Sequence, residues 1–187
     1  MGSLTIIVGP MFAGKSTQLL REKERYEFSK KKYKLLTISH IFDEERTEQK
    51  IVKTHSELSC DADLMLSSLL SVLEMKEYDE ADAIFIDEGQ FFNDIYDFCL
   101  ESQKKEKNVF VSFLSGTFER KAFGNTAKLY PIATNIIHIK AICSFCELPT
   151  EAPFTIKIGD KKEIIDIGAG EKYIPVCLKH YLEKNIK

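Results

Sequence analysis

Apolar and polar positions along the chain fall into short runs that alternate in type. Residues 4–8, LTIIV, make a mainly apolar run of the length of a buried strand. Residues 15–30, KSTQLLREKERYEFSK, read as a helix with Leu19, Leu20 and Phe28 on one face and charges elsewhere. A second strand is expected at 34–39, KLLTIS, and a polar, irregular stretch at 40–63 reads mostly as loop. LMLSSLLSVLEM (64–75) suggests a helix and AIFID (83–87) a strand. Residues 93–106 follow as a helix with Asn93 as its cap, then VFVSFL (109–114) as a strand. NTAKLYPIAT (125–134) begins as a helix that Pro131 ends or bends, and IIHIKAI (136–142) reads as a last core strand.

Strands alternating with helices through the first three quarters predict an α/β fold: a mainly parallel sheet with helices on both faces. Beyond it the style changes to short β-prone runs, turns and cysteines. A boundary is therefore expected near residue 141, dividing a domain of residues 1–140 from a small C-terminal lobe of residues 141–187. With 187 residues of which 44% are hydrophobic, the chain is long enough and apolar enough to bury a sizeable core. A net charge of −3 argues against a large electrostatic footprint for nucleic acid. No segment reaches the length of a membrane span, and the start has neither a basic region nor a small-residue cleavage site. A cytoplasmic location follows as the expectation, with the five cysteines reduced.

The stretch GPMFAGKST (9–17) changes the picture most. It fits G-x-x-x-x-G-K-S/T, with Gly9, Gly14, Lys15 and Ser16 at the defining places. Glycines let a backbone curl around an anion with its N–H groups inward, and the following helix adds a positive pole. Lys15 supplies a cation for the outer phosphates, and Ser16 a hydroxyl oxygen for Mg²⁺. A Gly-rich turn between strand and helix would have similar composition, but here the match sits between an expected strand and an expected helix. AIFIDEGQFF then ends an apolar strand in Asp87 and Glu88. Carboxylates at the carboxyl end of a parallel strand open into the ligand crevice of such sheets. Asp87 suits Mg²⁺, and Glu88 suits taking a proton from a hydroxyl or orienting a water.

Cys143 and Cys146 are spaced C-x-x-C, and Cys177 and His180 C-x-x-H. Two such knuckles supply four donors suited to tetrahedral Zn²⁺. Nothing in the set leaves an open position for substrate, so the expected role is structural: a zinc-ribbon-like lobe. A redox C-x-x-C is the competing reading, and it lacks the strand–C-x-x-C–helix context. Cys60 and Cys99 have no close partner.

Together these blocks resemble the zinc-containing, cytosolic and viral type of thymidine kinase. GPMFAGKST looks like that family's P-loop and IDEGQFF like its metal-and-base strand end. GTFERKAFG (116–124) is similar to its GTFQRKPFG-type segment, and IGAGEKYIPVCLKH (167–180) resembles its substrate-gripping loop and last zinc pair. The resemblance implies ATP- and Mg²⁺-dependent transfer of the γ-phosphoryl group to the 5′-hydroxyl of a deoxynucleoside, with Glu88 as general base. It implies that Lys15 and the loop through Gly9, Met11, Phe12, Ala13, Gly14, Ser16 and Thr17 hold the triphosphate. Ser16 and Asp87 would then hold Mg²⁺, with Arg120 beside the reacting groups. Met11, Phe91, Leu114, Phe118, Phe123, Gly168 and Tyr173 match positions around the nucleoside, gripped by a lasso loop near 155–175. It further implies structural Zn²⁺ on Cys143, Cys146, Cys177 and His180, a homotetramer, and feedback inhibition by the triphosphate end product, dTTP.

The chain departs from the pattern at several places. Ser115 stands where the family usually has Asp, Ala122 replaces a Pro, Lys157 falls where Arg is common, and Ala169 takes a glycine place. An altered base preference is the hypothesis these raise. The family's Asp-x-Arg signature is present only loosely, as DEER (43–46), and His55 matches a position that reads more simply as structural. Two other function classes remain open from the residues alone. One is a P-loop NTPase in which Glu88 orients water. The other is a zinc-ribbon nucleic-acid-binding module, for which the lobe lacks a dense basic stripe with interleaved aromatics.

Overall fold

The computed structural model describes residues 2–41, 51–53, 59–158 and 172–185. Its centre is a six-stranded sheet of β1 (Ser3–Gly9), β2 (Leu35–His40), β5 (Leu64–Leu66), β6 (Ala83–Ile86), β7 (Asn108–Leu114) and β8 (Asn135–His138). The spatial order is β5-β2-β6-β7-β1-β8, and every pairing is parallel. The mainly parallel α/β expectation holds.

Side-chain alternation along the strands sends the two faces of the sheet into two apolar clusters. Leu4, Ile6 and Val8 of β1 join Ile84, Ile86, Val109 and Val111 on one face. Helix α3 (Ile95–Lys104) covers that face with Ile95, Phe98 and Cys99. Helix α2 (Lys76–Glu80) adds Tyr78. Ile7 points to the opposite face, where α1 (Lys15–Glu27) brings Leu19 against Phe85 and Phe110. The Phe85 and Phe110 rings stack at 4.8 Å with 9° between planes, and Tyr26 meets both edge-on. Burial pushes the Cys99 thiol well up, so it behaves as an apolar core group.

The remaining elements gather at the C-terminal end. β9 (Ala141–Ile142) pairs antiparallel with β10 (Glu151–Ala152), and β11 (Phe154–Lys157) with β12 (Tyr173–Val176). Helix α4 (Leu178–Asn185) closes the described chain. Ala141, Cys143, Ala152, Ile156, Val176, Cys177 and Tyr181 form a separate small cluster there.

Several local expectations are corrected. The helix expected at 64–75 is instead strand β5 followed by a 3₁₀ turn at Leu70–Glu74. Leu64, Met65 and Leu66 pair with Ile38, Ser39 and His40, satisfying an edge of β2 that a helix would leave bare. The turn is then started from a distance: Asp94 Oδ2 accepts the Ser68 hydroxyl and the Leu69 and Leu70 amides at 2.6, 2.8 and 2.9 Å. Asp94, rather than Asn93, stands at the N-cap of α3, yet makes no side-chain cap to its own helix. The helix at 15 stops at Glu27, leaving Phe28 outside the buried face and 88% exposed. The run 136–142 is not one core strand. β8 is an exposed edge, and the chain leaves the sheet before β9 joins the C-terminal elements. The loop read at 40–63 contains a short hairpin, β3 (Ile51–Lys53) with β4 (Ser59–Asp61). The DEER segment and His55 lie outside the described residues. Residues 125–134 form a 3₁₀ helix, Thr126–Ile132, that accommodates Pro131.

Phe98 is fully buried between α3 and the sheet. Phe98→Ala removes a ring that the packed strands beneath cannot replace. It is expected to lower unfolding free energy by about 3–5 kcal/mol, read by urea titration; a loss below about 1 kcal/mol would contradict the packing described.

Candidate active site and cysteine–histidine cluster

Because the six strands run the same way, the carboxyl ends of β1, β6 and β7 emerge on one edge. Gly9 is level with Leu114 in the β1–β7 register, and Ile86 with Val111 in the β6–β7 register. The loop after β1 and the Asp87–Glu88 turn after β6 therefore flank the end of β7. Ser115 N–H donates to Gly9 O at 3.0 Å, closing β7 onto the loop.

The Gly9–Thr17 segment turns directly into α1. Gly14 stands at the N-cap with φ 84°, a left-handed conformation that glycine adopts without Cβ strain. The first turn of α1 carries no acidic residue, so its positive pole is not offset locally. Lys15 Nζ donates to Pro10 O at 2.9 Å. Ser16 and Thr17 lie in that first helical turn. Met11 N–H donates to the Thr155 hydroxyl at 3.1 Å, so the loop is tied to β11. Ala13 packs against the C-terminal apolar cluster.

Asp87 is buried and accepts a hydrogen bond from Ser112 Oγ, also buried, on the neighbouring strand. Glu88 follows in a left-handed conformation, φ 51°. Among the described non-glycine residues, positive φ occurs at Phe12, Glu88, Glu106 and Arg120. Three of these four are candidate site residues named from the sequence, and each position costs on the order of 1 kcal/mol. Such strain gathers where neighbouring structure over-determines the backbone. Gln90, 3% exposed, donates from Nε2 to Glu88 Oε2 and accepts Leu114 N–H at 3.1 Å.

The aromatic candidates meet in two pairs. Phe91 and Phe123 are edge-on at 5.9 Å, and Phe118 and Tyr173 are tilted at 6.4 Å. Lys157 Nζ lies 5.7 Å from the Phe118 ring centre and 5.6 Å from that of Tyr173. Leu114 ends β7, and its N–H donates to Gln90, the residue before Phe91. Arg120 is carried on the loop after β7. Its guanidinium lies 4.6 Å from the Tyr181 ring centre and 5.8 Å from that of Phe154, both C-terminal. Tyr181 Oη donates to Phe118 O at 2.8 Å. Gly168 and Ala169 lie outside the described residues.

The four metal candidates do converge. Cys143, Cys146 and Cys177 sulfurs lie 3.3, 3.5 and 3.4 Å from His180 Nδ1, and the Cys146 and Cys177 sulfurs are 3.9 Å apart. Donors about 2.0–2.3 Å from one tetrahedral centre would stand roughly 3.5–3.8 Å apart. The separations given, 3.3–3.9 Å, fall around that range, and three sulfurs with one imidazole suit Zn²⁺. Burial opposes ionisation of Cys143. The Cys177 and Phe145 backbone amides, with His180 and Cys146, outweigh it and bring the thiol down to about 6. For Cys146 the Thr150 hydroxyl favours the thiolate, but desolvation and the neighbouring sulfurs prevail and raise it. His180 Nε2, on the far side of the ring, is 3.9 Å from Glu183, which fits Nδ1 as the donor.

Sequence reasoning passed over Gln90, Ser112, Thr155 and Tyr181. Ser112 had a signal: it is the one polar residue within VFVSFL. Gln90 lay inside a quoted motif with no task assigned. Thr155 and Tyr181 gave no local sign, because their partners are 144 and 63 residues away. Among the described residues, no helix is long and apolar enough to cross a membrane.

The sequence that carries the Gly9–Thr17 loop, the Asp87–Glu88 pair and the Cys₃His cluster has relatives among known proteins. The thymidine kinase family model matches residues 2–181. A thymidine kinase of Myxoma virus (strain Uriarra) is 38% identical over 180 residues, covering 96% of each chain. A thymidine kinase of Vaccinia virus (strain Western Reserve) is 37% identical over 182 residues, covering 97% of this chain and 98% of its own. The cytosolic thymidine kinase of Bos taurus is 37% identical over 183 residues, covering 98% of this chain and 73% of its own. With the match spanning loop, carboxylates and cysteine cluster together, the chain belongs to the thymidine kinase family.

Proposed function

We propose that the chain is a phosphotransferase that moves the γ-phosphoryl group of ATP to the 5′-hydroxyl of thymidine, in nucleotide salvage. The observation that carries this reading is the shared edge of β1, β6 and β7. It sets the Gly9–Thr17 loop beside two consecutive carboxylates, in a chain of this family.

In this reading the amides from Gly9 to Thr17 and the helix pole cradle the triphosphate. Lys15 leaves the Pro10 carbonyl for the outer phosphates. Asp87 and Ser16 offer hard oxygen donors suited to Mg²⁺, which when bound neutralises developing phosphate charge. Ser112 fixes one oxygen of Asp87 and so aims the carboxylate. Glu88 accepts the proton as the nucleoside oxygen attacks the γ-phosphorus and ADP leaves. Met11, Leu114 and the rings of Phe91, Phe118, Phe123 and Tyr173 wall the base, with Gly168 in the loop that closes over it. Arg120 serves the phosphate side when its stack on Tyr181 rearranges. Residues 1–140 act as the kinase domain and residues 141–187 as the zinc lobe. Zn²⁺ on Cys143, Cys146, Cys177 and His180 is structural, because the four protein donors complete its tetrahedron. A cytoplasmic homotetramer inhibited by dTTP, without nucleic-acid partners, completes the proposal.

An assay with ATP, Mg²⁺ and a nucleoside panel tests the function. Thymidine is expected to give the highest kcat/KM and purine deoxynucleosides the lowest. Equal values for deoxycytidine would instead assign the altered preference raised by Ser115, Lys157 and Ala169. Nucleoside-independent ATP hydrolysis at the same rate would overturn the kinase reading. Glu88→Gln is expected to retain ATP binding and lose at least ~10²-fold in kcat; an unchanged kcat removes Glu88 from the role of base. Metal analysis should find about one zinc per chain. Chelation should lower the melting temperature and abolish activity together, since Thr155 and Tyr181 anchor the loops after β1 and β7 from the zinc side. Full activity in a metal-free chain would refute the structural zinc.

A further inference from the structure

A general base must point in one direction, and a glutamate side chain is intrinsically free to point in many. The Asp87–Gln90 turn shows how this one is directed. Glu88 is held at φ 51° and ψ 40°. The next residue, Gly89, is pressed onto β7: a Cβ there would lie 2.6 Å from Val111 Cγ1. Gln90 then turns inward and is almost wholly buried.

The orientation of the Gln90 amide is set by its partners. The Leu114 N–H can only donate, and it lies 3.1 Å from Oε1, so that atom is the acceptor. The amide nitrogen therefore faces Glu88, and donates to Oε2. Leu114 in turn is level with Gly9, where the phosphate loop begins. One side-chain amide thus links the carboxylate of Glu88, through β7, to the start of the loop.

We propose that Gln90 is a positioning residue that acts through Glu88. Its amide donor aims the carboxylate, and its amide oxygen fixes that aim to the end of β7. The inference rests on the reading of Glu88 as general base and adds the group that makes the base effective. Gln90 itself touches no reacting atom in this scheme.

Two substitutions separate the two halves of the amide. Gln90→Glu keeps an oxygen for Leu114 N–H and replaces the donor facing Glu88 by another acceptor. Gln90→Met keeps the length and loses both bonds. In the full chain, Gln90→Glu should lower kcat by about 10–100-fold, while KM for ATP and for thymidine stay within about twofold. Gln90→Met should lower kcat similarly and also raise the thymidine KM, because Leu114 N–H loses its partner. In a Glu88→Gln background, either substitution should change kcat by less than about twofold, since the group it acts through is gone. A merely structural role would instead multiply with the Glu88→Gln loss. Thermal unfolding identifies a variant that fails to fold, and the other variant then decides. Wild-type kcat in Gln90→Glu, or multiplicative losses in the double variants, would overturn the positioning role while leaving the base intact. Wild-type kcat in Glu88→Gln would overturn the base and the positioning role together.

Discussion

Six strands that all run the same way must deliver their carboxyl ends to one edge, and the rest of the molecule depends on that constraint. A parallel sheet is buried on both faces, so its strands are apolar and their polar residues collect where the strands stop. Here that edge receives the loop after β1 from one side and Asp87–Glu88 from the other, with β7 between them. The spacing of these groups is therefore set by hydrogen-bond register rather than by side-chain contacts alone. Register is hard to disturb, because a shift of one residue would turn buried apolar side chains to the opposite face.

The C-terminal elements solve a different problem. Their apolar cluster is small, and so little buried surface cannot by itself offset the cost of ordering two hairpins and a helix. The three sulfurs and one imidazole, a donor set compatible with zinc, would supply a second means of closure with the metal bound as proposed. What is closed then reaches back: Thr155 holds the amide of Met11, Tyr181 holds the carbonyl of Phe118, and Arg120 stacks on Tyr181. The cysteine cluster is remote from the carboxylates in sequence, yet Ala13 of the loop after β1 packs against the apolar cluster that contains Cys143 and Cys177.

The parts legible in the sequence were those whose physics is local. The GPMFAGKST run needs only its own backbone to form a cradle, and C-x-x-C with C-x-x-H needs only short knuckles. The strands with continuous apolar runs were legible because they are buried on both faces. The errors came where distant partners decide. LMLSSLLSVLEM has a plausible helical stripe, but the open edge of β2 claims its first three residues and Asp94 starts the turn that follows. IIHIKAI looks like core because apolarity does not reveal that a strand lies at an exposed edge. Gln90 to Leu114 and Thr155 to Met11 are pairings that no local pattern predicts, so their contribution became visible only with the fold.

The left-handed backbones of Phe12, Glu88 and Arg120 have a consequence for the evolution of heat tolerance in this chain. Glycine would relieve the backbone strain at each of them, against the larger freedom it gives the unfolded chain. At Glu88 and Arg120 it would also delete a side chain to which the proposed mechanism gives a task. With these residues in the roles proposed above, endurance and turnover would pull on the same few backbone angles in opposite directions.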